Sequence, residues 1–177
     1  MAKHPLPIDP LAEAKRQWVA HGWTAAADGM TVVTSVMRAQ QLLQARVDTT
    51  LKPFDLTFAR YELLRLLAFS RSGSLPLSSV VARLQVHPTT VSSTADRLLR
   101  DGLIRRDPHP HDGRAAMLAL TAQGRDLVER ATTALNDEVF TSPGLDPADA
   151  ADLIAIVARM RKAAGDFADP RPQPDPL

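Results

Sequence analysis

Cysteine is absent from the 177 residues of this chain. Its absence excludes disulfide scaffolds, cysteine-ligated zinc or iron–sulfur sites and redox sensing through a thiol. Long apolar runs are missing as well, since none approaches the roughly 18 residues of a membrane-spanning helix. The first residues, MAKHPLPIDP, lack the apolar stretch of a secretory signal. We therefore expect a cytoplasmic protein with no membrane partner.

The sequence motifs of common enzymes are also missing. It contains no G-x-S-x-G elbow, P-loop, G-x-G-x-x-G or H-E-x-x-H. His109, His111 and Asp112 are suitable metal ligands, but three ligands on one turn without a fourth predict no metal site. We expect no enzymatic activity, no cofactor and no bound metal.

Charge is nearly balanced overall, at a formal +1, but it is unevenly distributed. Segments 1–74 and 75–125 each carry +3, whereas segment 126–177 carries −5. A net positive charge over residues 1–125 and a net negative charge after them favour a protein with one basic face that binds an anion. The alternative is a solvated surface whose asymmetry arose by chance.

Apolar periodicity and helix-capping residues predict a mainly α fold. Aspartate followed by proline, as in Asp9-Pro10 and Asp146-Pro147, is typical of a helix start. Proline at every second position after Asp169 predicts a disordered tail. The predicted helices span 10–21, 29–51, 58–71, 78–84, 88–101, 122–140 and 147–165, with a short strand at 75–77 and a hairpin of 103–107 and 114–120.

The order of a short helix, a three-residue turn (85–87) and a second helix is a helix-turn-helix. Such a unit places its second helix in the DNA major groove. Stepping 100° per residue puts Val91, Ala95 and Leu98 on a buried face and leaves hydroxyls and arginines outside. Those side chains suit base edges and phosphates. The predicted contacts are Thr89, Thr90, Ser92, Ser93 and Arg97. A solvated helix with capping hydroxyls is the other interpretation.

The polar hairpin that follows the second helix predicts a wing. Arg105 and Arg106 lie where the strand leaves the helix, and there they could meet phosphates. Asp112 can hold the guanidinium of Arg114 in a fixed orientation, so that the arginine enters the narrow minor groove. The competing function is a winged helix that binds proteins and not DNA. Such a module needs neither Arg114 nor the hydroxyl face.

Four short segments in order carry a family resemblance: Asp96-Arg97-Leu98, Gly102-Leu103-Ile104, Asp112-Gly113-Arg114 and Leu120-Thr121-Ala122-Gln123-Gly124. Over roughly residues 30–165 the chain resembles the MarR family of winged-helix transcription regulators. The resemblance implies a homodimeric, sequence-specific repressor of palindromic DNA that is released by a small aromatic ligand. The expected parts are an arm and extra helix at 1–28, dimerisation helices at 29–56 and 122–165, a winged helix-turn-helix lobe at 57–121 and a disordered tail at 166–177.

Dimerisation is also expected from the apolar stripes on helices 29–51 and 147–165, unless both stripes are covered within one chain. For the ligand, the candidate pocket residues are Trp18, His21, Met37, Arg38 and Tyr61. Arg38 is a candidate receptor because a buried cation could bind an anionic ligand. Packing of the methionines and aromatic rings in the core or dimer interface is the alternative. One branch of the family responds to urate, but its acidic residue and arginine correspond here to Leu63 and Thr94, so we expect no urate response.

Overall fold

The computed structural model of the chain describes residues 6–84, 87–108 and 116–167. Within these ranges the protein is mainly helical with one small antiparallel sheet, as expected. The helices are α1 (Pro10–Ala20), α2 (Thr24–Leu51), α3 (Phe58–Phe69), α4 (Leu77–Leu84), α5 (Pro88–Arg100), α6 (Ala122–Leu135) and α7 (Pro147–Ala163), and the strands are β1 (Ser74–Pro76), β2 (Ile104–Pro108) and β3 (Ala116–Leu120). None of the helices in these ranges is long and apolar enough to cross a membrane.

Two helices differ from their predicted bounds by more than two residues. α2 begins at Thr24, five residues before the predicted start at Gly29. The left-handed Gly22 (φ +83°) ends the preceding helix, and the alanine run after Thr24 favours helix immediately. α6 passes into a π-helical turn at Asn136–Phe140, where one uninterrupted α-helix was predicted. A change from α to π hydrogen bonding leaves no signature in the apolar period, so the sequence could not reveal it.

By internal contacts, the chain divides into two compact units, residues 1–46 and 47–177. In the first unit, Asp9 caps α1 by accepting a hydrogen bond from the backbone N–H of Leu11 at 3.0 Å. The ammonium of Lys15 lies 2.6 Å from the carboxylate of Asp28, which joins α1 to α2. The division into arm, dimerisation helices and DNA lobe remains a prediction.

The second unit is built around α3. This helix buries Leu63, Leu64 and Leu67 completely, because apolar side chains cover most of its circumference. The same core takes side chains from α5, β3 and α6, so the recognition unit and the start of α6 share one apolar interior. Its fully buried members also include Val80, Leu98, Leu118, Val128, Ala131 and Leu135.

The sheet has the order β1-β3-β2 and is antiparallel throughout. The predicted short strand is therefore the third strand of the wing sheet, with Leu75 opposite Leu118. In the hairpin, Ile104 pairs with Leu120 and Arg106 with Leu118. Because side chains alternate along a strand, Arg105 lies on the opposite face of β2 from Arg106.

A close contact joins Leu103, which follows α5, to the first turn of α6. The N–H of Thr121 donates to the carbonyl of Leu103 at 3.1 Å, and the Thr121 hydroxyl accepts from the N–H of Gly124 at 3.0 Å. A Cβ on Gly124 would lie 2.0 Å from the Leu103 carbonyl oxygen. Only glycine fits this approach, which gives a physical reason for the Leu-Thr-x-x-Gly segment.

Candidate nucleic-acid interface

Both ends of α5 are fixed by local signals. At the start, the ring Nδ1 of His87 accepts from the backbone N–H of Thr89 at 3.3 Å, and Pro88 occupies the first helical position. At the end, Asp101 is the C-cap and Gly102 follows in the left-handed conformation (φ +69°). The predicted recognition helix is confirmed to within one residue.

The faces of α5 separate as the helical wheel predicts. Val91, Ala95 and Leu98 are at most 1% exposed and pack against the core. The five predicted contact residues lie opposite this buried face or on its flanks; Ser92 is half-buried and the other four are exposed. We call this surface the outer face of α5: Thr89, Thr90, Ser92, Ser93 and Arg97. It is polar and accessible, and contact between these residues and DNA remains a prediction.

The two wing arginines, both candidates for phosphate contacts, lie on opposite faces of β2. Arg106 lies on the face of β2 turned toward α5, where its Nη2 donates to Asp96 at 2.9 Å. Arg105 lies on the other face and is held by Asp107, with Nε 3.0 and 3.1 Å from the two carboxylate oxygens. Each guanidinium is thus held in place by a carboxylate. Whether either arginine meets phosphates remains a prediction.

The tip of the predicted wing falls outside the described residues. His109, His111, Asp112 and Arg114 all lie in this stretch, so the proposed Asp112–Arg114 pair remains a prediction. In the parts of the chain that the structure covers, no group of three or more histidines and carboxylates could hold a metal ion.

The sequence reasoning missed a polar cluster behind α5. Arg60, in the first turn of α3, donates from Nη1 to the carbonyl of Asp55 at 2.9 Å and forms an ion pair with Asp101 through Nη2. A cavity of about 490 Å³ opens beside it, lined by Asp48, Lys52, Asp55, Leu56, Thr57, Arg60 and Arg97. The available signal was the pair of arginines, Arg60 and Arg65, among the many apolar residues of this helix, since a buried charge needs a partner.

A half-buried carboxylate lies between α3 and α5. Glu62 lines a narrow cleft with Leu63, Leu84, Thr90, Val91 and Thr94. Burial raises the pKa of Glu62 above its ordinary value, because the charged form loses hydration there.

The candidate ligand residues fall in separate units. In the first unit, the rings of Trp18 and His21 pack on Trp23 with centroids 5.4 and 5.5 Å apart. In the second unit, Tyr61 is buried, with its hydroxyl 3.2 Å from Thr132 Oγ1. These contacts are of the kind expected if the aromatic rings serve in packing, and a shared ligand pocket remains a prediction.

Within the subunit Arg38 is not buried, and its role as a receptor for an anionic ligand remains a prediction. Arg38 lies on an exposed face of α2 and donates to Gln41 Oε1 at 3.1 Å. Met37, its neighbour, is also exposed. A separate cavity of about 430 Å³ in the first unit is lined by Lys15, Asp28, Thr31, Val32, Ser35 and Val36.

Comparisons with known proteins agree with this geometry. The MarR family model matches residues 56–116. Sco5413 of Streptomyces coelicolor, a MarR family transcriptional regulator, is 45% identical; the match covers 80% of this chain and 99% of Sco5413, with a TM-score of 0.71. Sco3205 from the same organism, a MarR family regulator solved in complex with DNA, is 26% identical over 84% of this chain and 90% of its own, with a TM-score of 0.68.

A curated relative is YhbI of Bacillus subtilis, an HTH-type transcriptional regulator, at 35% identity over 85 residues. That match covers 48% of this chain and spans about half (54%) of YhbI. The matched family and fold are those of transcription regulators and not of enzymes. With the helix-turn-helix, the three-stranded wing sheet and the match to nearly all of Sco5413, the chain belongs to the MarR family of winged-helix, DNA-binding transcription regulators.

Proposed function

We propose that the protein is a homodimeric repressor that binds a palindromic DNA site sequence-specifically and leaves it when a small aromatic ligand binds. The observation that carries this proposal is the outer face of α5. It presents four hydroxyls and one arginine on a helix whose opposite side is locked in the core. Small hydroxyl side chains allow a helix to approach the floor of the major groove.

In this mechanism the outer face of α5 reads base edges and the wing meets the backbone beside it. Arg97 is the cation of that face, and Arg114, held by Asp112, enters the minor groove. A twofold protein places two such helices on one side of the duplex, about 34 Å or one helical turn apart. The operator is therefore a palindrome with that half-site spacing.

Dimerisation is supported by apolar side chains that the subunit leaves exposed. On α7 they are Leu153, Ile154, Ile156, Val157 and Met160, and on α2 they are Val32, Val33, Val36, Met37, Leu42 and Leu43. Monomeric proteins rarely expose so many apolar side chains on two helices. A second copy of the chain is the occupant that the family resemblance implies for both faces.

Release by a ligand would be a population shift. In one state of the dimer the two α5 helices are spaced to fit the DNA, and in the other they are not. A ligand that binds more tightly to the second state lowers the affinity for DNA, at most by the ratio of its affinities for the two states. The family resemblance implies a phenolic or other aromatic anion. Salicylate, with benzoate as the matched acid that lacks the phenol, is a suitable pair of probes for DNA release.

Selection of bound duplexes from a random pool tests DNA binding, palindromy and spacing together. Arg97→Ala should then weaken binding and reduce the slope of log affinity against log salt by about 1 if Arg97 meets a phosphate. Arg159→Ala removes the same charge from an exposed position on α7 and is the matched control. Equal losses in the two variants, or a pool without enrichment, would contradict the proposal.

A further inference from the structure

The side chain of Arg60 is the most enclosed member of the polar cluster behind α5, with 12% of it exposed. Its two Nη groups reach different elements: one donates to the carbonyl of Asp55, and the other pairs with the carboxylate of Asp101. Its Nε is buried without a hydrogen-bond partner among the described residues. Leaving that N–H unpaired costs free energy, so the two Nη contacts hold the side chain in place.

Each acceptor marks the end of a helical segment. Asp55 ends the 3-10 turn at Lys52–Phe54 that follows α2, and it does so in the left-handed conformation (φ +53°). Asp101 is the C-cap of α5. A carboxylate at a helix C-terminus faces the negative end of the helix dipole, which is unfavourable. Helix stability does not explain Asp101, whereas the positive charge of Arg60 does.

The position of this link matters for base recognition. α5 has 13 residues, and a helix of that length spans roughly 20 Å. A tilt of about 5° over that span moves the far end by roughly 1.7 Å. Hydrogen bonds to bases tolerate only a few tenths of an ångström. The N–H of Asp101 also donates to the carbonyl of Arg97, so the linked residue lies one turn from the outer face.

We propose that Arg60 is a positioning residue that sets the tilt of α5 and thereby the discrimination between operator and other DNA. It does so without touching DNA, by joining the turn after α2 to the C-cap of α5. This role rests on the proposed function, because it requires a sequence-specific site.

The chain offers a closely matched control in Arg65. It lies in the same helix, is 15% exposed, pairs with Glu129 at 3.0 Å and likewise has a buried Nε without a partner in the described chain. Its partner belongs to α6 and not to α5. Arg60→Met and Arg65→Met therefore remove similar side chains and differ in whether α5 loses its link.

The experiment measures, for each variant, the affinity for the selected operator and for a scrambled duplex of the same length at one salt concentration. Thermal unfolding is measured in parallel. We expect Arg60→Met to lower the ratio of the two affinities at least about fivefold, the lower end of the loss of one base contact. Arg65→Met should lower the unfolding temperature similarly and leave the ratio within about twofold of wild type.

Asp101→Asn keeps the test valid if Arg60→Met does not fold. This variant removes the negative charge that holds Arg60, and it also removes an unfavourable carboxylate from the negative end of the α5 dipole. The unfolding temperature should therefore fall less than in Arg60→Met, while the ratio of the two affinities should fall as much. An unchanged ratio in Asp101→Asn, or equal losses of ratio in the Arg60 and Arg65 variants, would overturn the positioning role alone. A wild-type protein that binds both duplexes equally would refute the proposed function and the positioning role with it.

Discussion

Replacing Gly124 by alanine should push the first turn of α6 away from Leu103, the residue that follows the turn after α5. The added Cβ would lie 2.0 Å from the Leu103 carbonyl oxygen and 3.0 Å from a methyl carbon of Leu120. Carbon–oxygen contacts are normally about 3.3–3.6 Å, so the first turn of α6 must move by more than about 1 Å. The obstacle is backbone, which cannot turn away as a flexible side chain can.

The movement also strains the hydrogen bonds at Thr121. Its N–H donates to Leu103 at 3.1 Å, and its hydroxyl donates to the carbonyls of Gly102 and Leu103 at 2.9 and 3.0 Å. Overpacking costs about 1–3 kcal/mol, and each lost hydrogen bond adds about 1 kcal/mol. The higher helix propensity of alanine offsets about 1 kcal/mol of this loss in the free energy of unfolding. A net loss of about 3 kcal/mol follows, which corresponds to roughly 6–12 °C in the unfolding temperature at this chain length.

Gly29→Ala is the matched control, because Gly29 is also helical and an added Cβ there meets nothing within 4 Å. It should stabilise the protein by about 0.5–1 kcal/mol. Both variants are measured by circular dichroism at one protomer concentration, since the unfolding temperature of a dimer depends on concentration. A Gly124→Ala protein as stable as wild type, or two variants that shift together, would refute the steric reasoning.

Two further predictions concern a helix face and a carboxylate. Ile154 is 71% exposed in the subunit, and Ile154→Asp should shift the protein toward monomer in sedimentation. Phe69→Asp, at an exposed position on α3, is the control and should leave the dimer intact. A dimer that stays intact in both variants would show that α7 is not part of the interface. Burial raises the pKa of Glu62 above its ordinary 4.5, so its stabilising contribution is complete below that pH and is lost as the pH rises through the folded value. Glu62→Gln should therefore unfold at a higher temperature than wild type at pH 7 and at the same temperature near pH 4; a Gln variant less stable at pH 7 would contradict this sign.

The sequence predicted those parts of the fold whose causes are local. Cap residues and apolar periodicity placed α5, and its buried residues Val91, Ala95 and Leu98 followed from the helical wheel. The pairing of β1 with β3 was not predicted, because a three-residue strand interrupted by Pro76 carries no alternating pattern. Tertiary context alone assigns such a segment to a sheet.

At the candidate site, the sequence predicted which side chains are exposed but not which of them are paired. The link between Arg60 and Asp101 joins residues 41 positions apart, and no local pattern connects them. The exposure of Arg38 was not predicted for a related reason. Burial of a residue on α2 depends on packing partners that no local pattern identifies, and the subunit leaves Arg38 exposed.

The pleat of β2 constrains how the wing can change in length. Arg105 and Arg106 point to opposite sides because they are neighbours in an extended strand, and each has its carboxylate on its own side. Inserting one residue between Gly102 and Arg105 would exchange the two sides, so that Arg106 would turn away from Asp96, while Arg105 would keep Asp107, which moves with it in the same strand. Insertions of two residues would preserve the alternation, so natural length variants of this strand should differ by even numbers.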